Sequence, residues 1–363
     1  MFFKRTPPLT LINSTDPKKR ILAVKRTTFR KNHPDALEVF TRAIHDSDRN
    51  VRFYAALWLQ DHRELLSSCD KEQLFEDGMY FFERKKHFDW PFQLLRLLGD
   101  PRSIPAVIAR LNSESTLGRD EREMIIFLGE HGDHRHGGFI LSLLDKNRVF
   151  EYFKDSVEVI HSALVRTYDD KVIDALIERV NLQRSSSADF VAQSAETITG
   201  AHTLFRDPIT GRMWSAITLG KIGGEKALKL LMAGIDRKTD CHLIIKRACA
   251  AGLCYARDPR AIEQLILTIN TTDDTILSQI CCLALVRIGE PSVPYVINEC
   301  LARMSDINPH LILVLLHVDS ETSRDFILKL KASVDEKLRD EIVRCEAENK
   351  EIRRPEDLAA DIT

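Results

Sequence analysis

The chain has 363 residues, of which 44% are hydrophobic and 29% charged, and its 52 basic and 54 acidic side chains leave a formal net charge of −2. That balance excludes a collagen-like or mostly disordered chain. The length would suggest two or three domains, unless the chain is an array of repeats.

In chain order, the start Met1-Phe2-Phe3-Lys4-Arg5-Thr6-Pro7-Pro8 puts charge and proline where a signal peptide needs its apolar stretch. Residues 1–31 carry nine Lys or Arg against Asp16 alone. Asp16-Pro17 is a good helix start, and the helix it opens has Ile21 and Val24 on one side. Its cations Lys18, Lys19, Arg20, Lys25 and Arg26 form, with residues 1–16, a basic arm. Such an arm suits nucleic acid, an anionic membrane or an acidic protein, or simply a solvated cap.

Further on, apolar residues recur at helical spacing in short segments. Ile104, Val107, Ile108 and Leu111 follow i, i+3, i+4, i+7. The same spacing joins Ile173, Leu176, Ile177 and Val180, then Ile262, Leu265, Ile266 and Ile269, and finally Val293, Val296, Ile297 and Cys300. Each would lay a stripe along one side of a short helix. A common break precedes these stripes: Leu98-Gly99-Asp100-Pro101-Arg102, Arg257-Asp258-Pro259-Arg260, and variants at Gly132-Asp133, Asp169-Asp170, Gly223-Gly224 and Gly289-Glu290-Pro291. Gly closes one helix in the left-handed conformation, Asp caps the next, and Pro suits its first turn. Most intervals lie near the period of helical solenoids, and one long interval implies an insertion near 184–212.

The segment Asp48-Arg49-Asn50-Val51-Arg52-Phe53-Tyr54-Ala55-Ala56-Leu57 resembles the first helix of a HEAT-like repeat. The Asp-Pro-Arg turn followed by Ala261-Ile262-Glu263-Gln264-Leu265 is similar to the short repeats of phycobilisome-lyase-type proteins. The resemblance covers roughly residues 17–331 and implies an all-α, right-handed α-solenoid of eight to ten helix pairs. The charged remainder, 332–363, is expected to be a helix and tail. Because such repeats serve scaffolds, chaperones and a few enzymes, the resemblance specifies architecture more than function.

Several enzymatic readings find no pattern. The HEAT-repeat deoxyhypusine hydroxylase uses His-Glu pairs, and this chain has no His-Glu dipeptide. The cluster Glu130-His131-Gly132-Asp133-His134-Arg135-His136 has metal-ligand residue types but occupies an inter-helix turn, so no metal or cofactor is expected there. Trp58, Trp90 and Trp214 fall at apolar helix positions and read as core. The aromatic run from Met79 to Phe92 reads as thick core with some rings outside. Of eight Cys, six lie between 241 and 300 among apolar neighbours and none forms a C-x-x-C pair. Reduced, cytoplasmic thiols acting as small apolar side chains are the economical reading.

In HEAT-like arrays the second helices line the concave side, so the expected outward positions include Arg42, Arg110, Arg179, Lys229, Gln264, Thr268, Tyr295, Asn298 and Glu299. That mixed ladder favours a protein partner bound by a non-enzymatic scaffold. Nucleic-acid binding through the arm and the Arg42–Arg110–Arg179 half is the first alternative. A phycobilin lyase-like or chaperone role, which rests on the resemblance alone, is the second.

Overall fold

A computed structural model describes residues 6–28, 34–84, 89–113, 116–117, 119–144, 149–150, 153–181, 208–304, 306–333 and, beyond them, 336, 339–340 and 342–344. The body of the expected insertion, 182–207, and most of the expected charged tail lie outside these residues. Among the described residues the regular structure is helical apart from two strands of two residues each, and the chain divides into two compact units, 1–132 and 133–363.

The first unit contains α1 (Pro8–Ile12), α2 (Pro17–Thr28), α3 (Ala36–Ala43), α4 (Arg49–Ala56), α5 (Lys71–Arg84), α6 (Asp89–Leu98), α7 (Ile104–Ser113) and α8 (Arg119–His131). Helix α2 starts at Pro17, as Asp16-Pro17 predicts. Between α4 and α5, where the repeat pattern is weakest in the sequence, two short 3-10 helices (Leu57–Gln60 and Arg63–Ser68) replace a full helix. Aromatic side chains thicken this core. Phe53 meets Phe81 at 4.4 Å between ring centres, and Trp58 meets Phe40 at 5.2 Å. Phe81, Phe82 and Phe92 are buried, whereas Tyr80 sits outside between the guanidinium groups of Arg49 and Arg84.

The second unit is more regular. Its first helices are α10 (Phe153–Thr167), α12 (Pro208–Ile222), α14 (Leu243–Ala256), α16 (Thr275–Ile288) and α18 (Pro309–Val318). Its second helices are α11 (Asp170–Val180), α13 (Glu225–Ile235), α15 (Ile262–Thr271), α17 (Val293–Ala302) and α19 (Glu321–Ser333), and the short α9 (Gly137–Ser142) precedes them all. Each first helix packs on the next first helix and each second helix on the next second helix, giving two layers. Helix α12 begins at Pro208, so the last residues of the 184–212 stretch are helical.

Most residues of the sequence stripes are buried, but Ile108, Ile173, Ile177 and Ile297 are only half-buried, and α11 buries Val172 with Leu176 and Val180. All four residues of the Ile262 stripe are buried, as are Val293, Val296 and Cys300. The breaks form as their chemistry requires. Asp100, Asp133 and Asp258 accept the backbone N–H two residues on, and Asp169 and Asp274 the one three residues on. Gly99 takes the left-handed conformation, φ +64°, after α6. The Asp-Pro-Arg signature makes a short 3-10 turn before the helix proper, at Pro101–Ser103 and Pro259–Ala261, and Glu290–Ser292 matches it. The third residue of each turn (Ser103, Ala261, Ser292) is buried, so only a small side chain fits.

Arginines tie successive helix pairs together. Arg20 on α2 reaches Asp46, Arg52 on α4 reaches Asp77, Arg96 on α6 reaches Glu123 and Arg247 on α14 reaches Asp274, at spacings of 26, 25, 27 and 27 residues. The Arg52–Asp77 pair is the most enclosed. Asp77 is fully buried and accepts hydrogen bonds from Arg52 at 2.7 Å and Arg49 at 2.8 Å. In the turns, Arg102 reaches back to Glu72 and Arg260 to Glu225, while each also embraces its own cap aspartate.

Two substitutions test this packing. Asp77→Ala leaves Arg52 half enclosed without its counter-charge, so unfolding stability should fall by about 3–5 kcal/mol, read as a shift of the urea midpoint. A Cβ on Gly220 would lie 2.1 Å from the Gly252 carbonyl oxygen, because α12 and α14 meet backbone to backbone there. Gly220→Ala must separate these helices and should cost about 1–3 kcal/mol or more in the same measurement.

Candidate functional site

The second helices of unit 133–363 expose one face to solvent, because their other side is committed to the first-helix layer. On that face α15 and α17 leave a groove of about 480 Å³ lined by Glu263, Ile266, Leu267, Asn270, Tyr295, Asn298, Glu299, Ala302 and Arg303. Two large apolar side chains stand open at it: Leu267 is 51% exposed and Tyr295 47%. Glu299 accepts from the Asn270 amide at 2.7 Å and from Arg303 at 2.6 Å, so the groove's one cation is already neutralised. A part-apolar groove with a few polar groups at its rim has the composition that ligand and partner sites commonly have.

The expected outward residues do not behave alike. Tyr295 and Asn298 are exposed in the groove and Lys229 is exposed on α13, while Gln264 is half-buried on α15 outside the groove lining. Thr268 is a correction: it is buried, its hydroxyl donating to the Gln264 carbonyl at 2.8 Å. It fails as an outward position because α15 also packs on α13, which widens its buried arc beyond the Ile262 stripe. Leu267, on the exposed flank of the same helix, is not among the expected outward positions, and its apolar side chain gives no sequence signal of exposure. Arg42 lies in the other unit, on α3, bonded to Glu38 at 2.5 Å and to the Asn13 side chain at 2.7 Å. Arg110, on α7 of that unit, and Arg179, on α11, are half-buried.

Three of the described cations of the basic arm have intramolecular duties. Arg20 is bonded to Asp46 and to the carbonyls of Ser14 and Thr15. Arg26 donates to the Thr6 carbonyl, and the Lys25 ammonium lies 4.2 Å from the centre of the Tyr54 ring. Lys18 and Lys19 are exposed at the first turn of α2. Elsewhere Lys226 pairs with Asp174, Arg247 with Asp274, and Arg260 with Asp258 and Glu225.

The histidine turn is structural. His136 Nδ1 accepts the Asp133 backbone N–H at 3.0 Å, while Asp133 caps the turn and holds Arg135, whose guanidinium keeps that carboxyl well below the usual range. His131 packs on the Phe127 ring at 4.6 Å and against Gly99. Among the described residues no group of three His, Cys, Asp or Glu side chains is placed to hold a metal ion. The clustered cysteines are core: Cys249, Cys254 and Cys281 are fully buried, and burial pushes the Cys254 thiol up to about 12. No single helix among the described residues is long and apolar enough to cross a membrane.

One titratable group has no counterpart in the sequence reading. His161 on α10 is 2% exposed, shares a 2.7 Å hydrogen bond with the Thr218 hydroxyl of α12, and lies parallel to the Trp214 ring. Its Nε2 is buried with no partner among the described residues. Burial first, and then the positive charges of Arg179 and Lys221, push its pKa down to about 3. Nothing in the flanking sequence marks it, because its surroundings come from helices more than 50 residues away.

No family model matches the chain. A curated protein that it resembles is the bilin biosynthesis protein PecE of Nostoc sp. (strain PCC 7120), 23% identical over 205 residues, covering 54% of this chain and 79% of that protein.

The histidine gives a pH prediction. The folded protein keeps His161 neutral down to about pH 3, whereas an unfolded imidazole takes up a proton near pH 6.5. Acid therefore favours the unfolded state: this contribution is intact above about pH 6.5 and is lost toward pH 3, by up to roughly 1.4 kcal/mol per unit. Urea midpoints at pH 7.5 and pH 5 should differ less in His161→Phe than in the wild type.

Proposed function

We propose that this chain is a HEAT-like α-solenoid protein that binds a protein partner along its second-helix face and carries out no chemistry of its own. The observation that carries the reading is the α15–α17 groove, where Leu267 and Tyr295 are exposed side by side with polar groups on a rigid helical scaffold. Large apolar and aromatic side chains at such a place suit the energetic centre of a protein interface. The two-layer packing, the repeated caps and the partial similarity to PecE support the HEAT-like assignment.

The second reading is a lyase-like or chaperone role toward a bilin-carrying protein, and the similarity to the bilin biosynthesis protein PecE is what favours it. The groove's charges weigh against direct bilin binding there. A linear tetrapyrrole carries propionates, and the groove offers Glu263 and Glu299, with Arg303 already engaged by Glu299. Nucleic-acid binding is less well supported, since among the described residues Arg20, Arg247 and Arg260 are ion-paired within the chain.

The test is capture of the tagged full-length protein from its native cells, with and without nuclease, beside a Leu267→Glu/Tyr295→Glu variant. The expected result is a defined protein partner that survives nuclease and is lost at least tenfold in the variant. Recovery abolished by nuclease, or a partner indifferent to the variant, would sink the proposal. Visible-light absorbance of the protein co-expressed with bilin, retained through gel filtration, would move the case to the second reading.

A further inference from the structure

The groove carries more than exposure. Three of its polar groups are already satisfied by one another, since Asn270 and Arg303 both donate to Glu299. Glu263 is exposed at the start of α15, Asn298 is exposed on α17, and neither side chain has a hydrogen bond or ion pair among the described residues. With Glu299 and Arg303 cancelling, the lining keeps one net negative charge, on Glu263. It also keeps one amide able both to donate and to accept, on Asn298.

We infer that this groove takes an extended peptide segment bearing a lysine or arginine between aliphatic neighbours. The cation would sit between the Glu263 carboxylate and the Tyr295 ring, the aliphatic side chains on Leu267, and the segment's backbone on the Asn298 amide. The inference rests on the reading of this face as a protein-binding surface and specifies the partner's chemistry. Each part has a physical reason. A guanidinium or ammonium gains from both a carboxylate and an aromatic face. Alternate side chains of an extended segment point to opposite sides, so a single main-chain contact can fix the register. An acidic segment would meet Glu263 directly and find the groove's only cation occupied, which gives the site a repulsive element against wrong partners.

The probe is a fluorescein-labelled peptide of alternating leucine and arginine, with its leucine–glutamate counterpart, read by fluorescence anisotropy against the full chain at physiological salt. The wild type should bind the arginine peptide at least tenfold more tightly than the glutamate peptide. Glu263→Lys should abolish that preference, and Leu267→Ala should weaken the arginine peptide several-fold without changing the helical circular-dichroism signal. Glu290→Lys, at an exposed turn outside the groove, makes the same change in net charge and should leave the preference intact. No binding of the arginine peptide, equal binding of the two peptides, or equal effects of Glu263→Lys and Glu290→Lys would overturn the inference. A captured partner that is lost in Leu267→Glu/Tyr295→Glu but retained in Glu263→Lys would overturn it while leaving the broader reading standing. A partner indifferent to both variants removes the broader reading itself.

Discussion

Everything in the second unit depends on short helices burying their apolar stripes against helices from neighbouring pairs. A helix of ten residues, such as α15 or α17, has too little surface to form a core alone, and a fifteen-residue helix such as α12 does little better. Contact between first helices is therefore close, and at Gly220 and Gly252 it is backbone on backbone. That contact is apolar and non-directional, so it fixes proximity more than register. Register is supplied by the arginine–carboxylate pairs and the capped turns, whose geometry is specific.

Several cations and carboxylates are matched pairwise at the junctions between helix pairs, from Arg20–Asp46 to Arg247–Asp274. Most of these pairs are partly exposed and each adds little stability, while the enclosed Arg52–Asp77 pair is costly to break because it would strand a charge. Arg20 and Arg26, which read as part of a basic arm in the sequence, are thus committed within the fold.

The α15–α17 groove and His161 show two different uses of polar groups in one helical array. At the groove, polar side chains surround exposed apolar ones, an arrangement that costs the fold little and leaves binding energy available. At His161 a single imidazole is enclosed by helices, neutral and half-satisfied, so it couples stability to pH and not to a ligand. The limited similarity to PecE fits a common helical framework, and the bilin chemistry in that protein's name belongs to this chain only as a proposal.

The amino-acid sequence by itself determined the helical class, the stripes that become core and the breaks between helices. Those properties follow from local rules: a period of 3.6 residues, the conformational freedom of Gly99, and the capping oxygens of Asp100 and Asp258. Even there, the period gave each helix's inward direction without the width of its buried arc. Thr268 is buried and Leu267 exposed because α13 and α17 flank α15, which no local rule can state. The destinations of the arginines were equally illegible, since a long flexible side chain finds its carboxylate 25 to 27 residues away only after the helices have stacked. The tertiary structure alone decided which charges were spent, that His161 would be held neutral, and that Leu267 and Tyr295 would share one groove. Each of these depends on what a neighbouring helix places opposite, and not on the residues beside them in the chain.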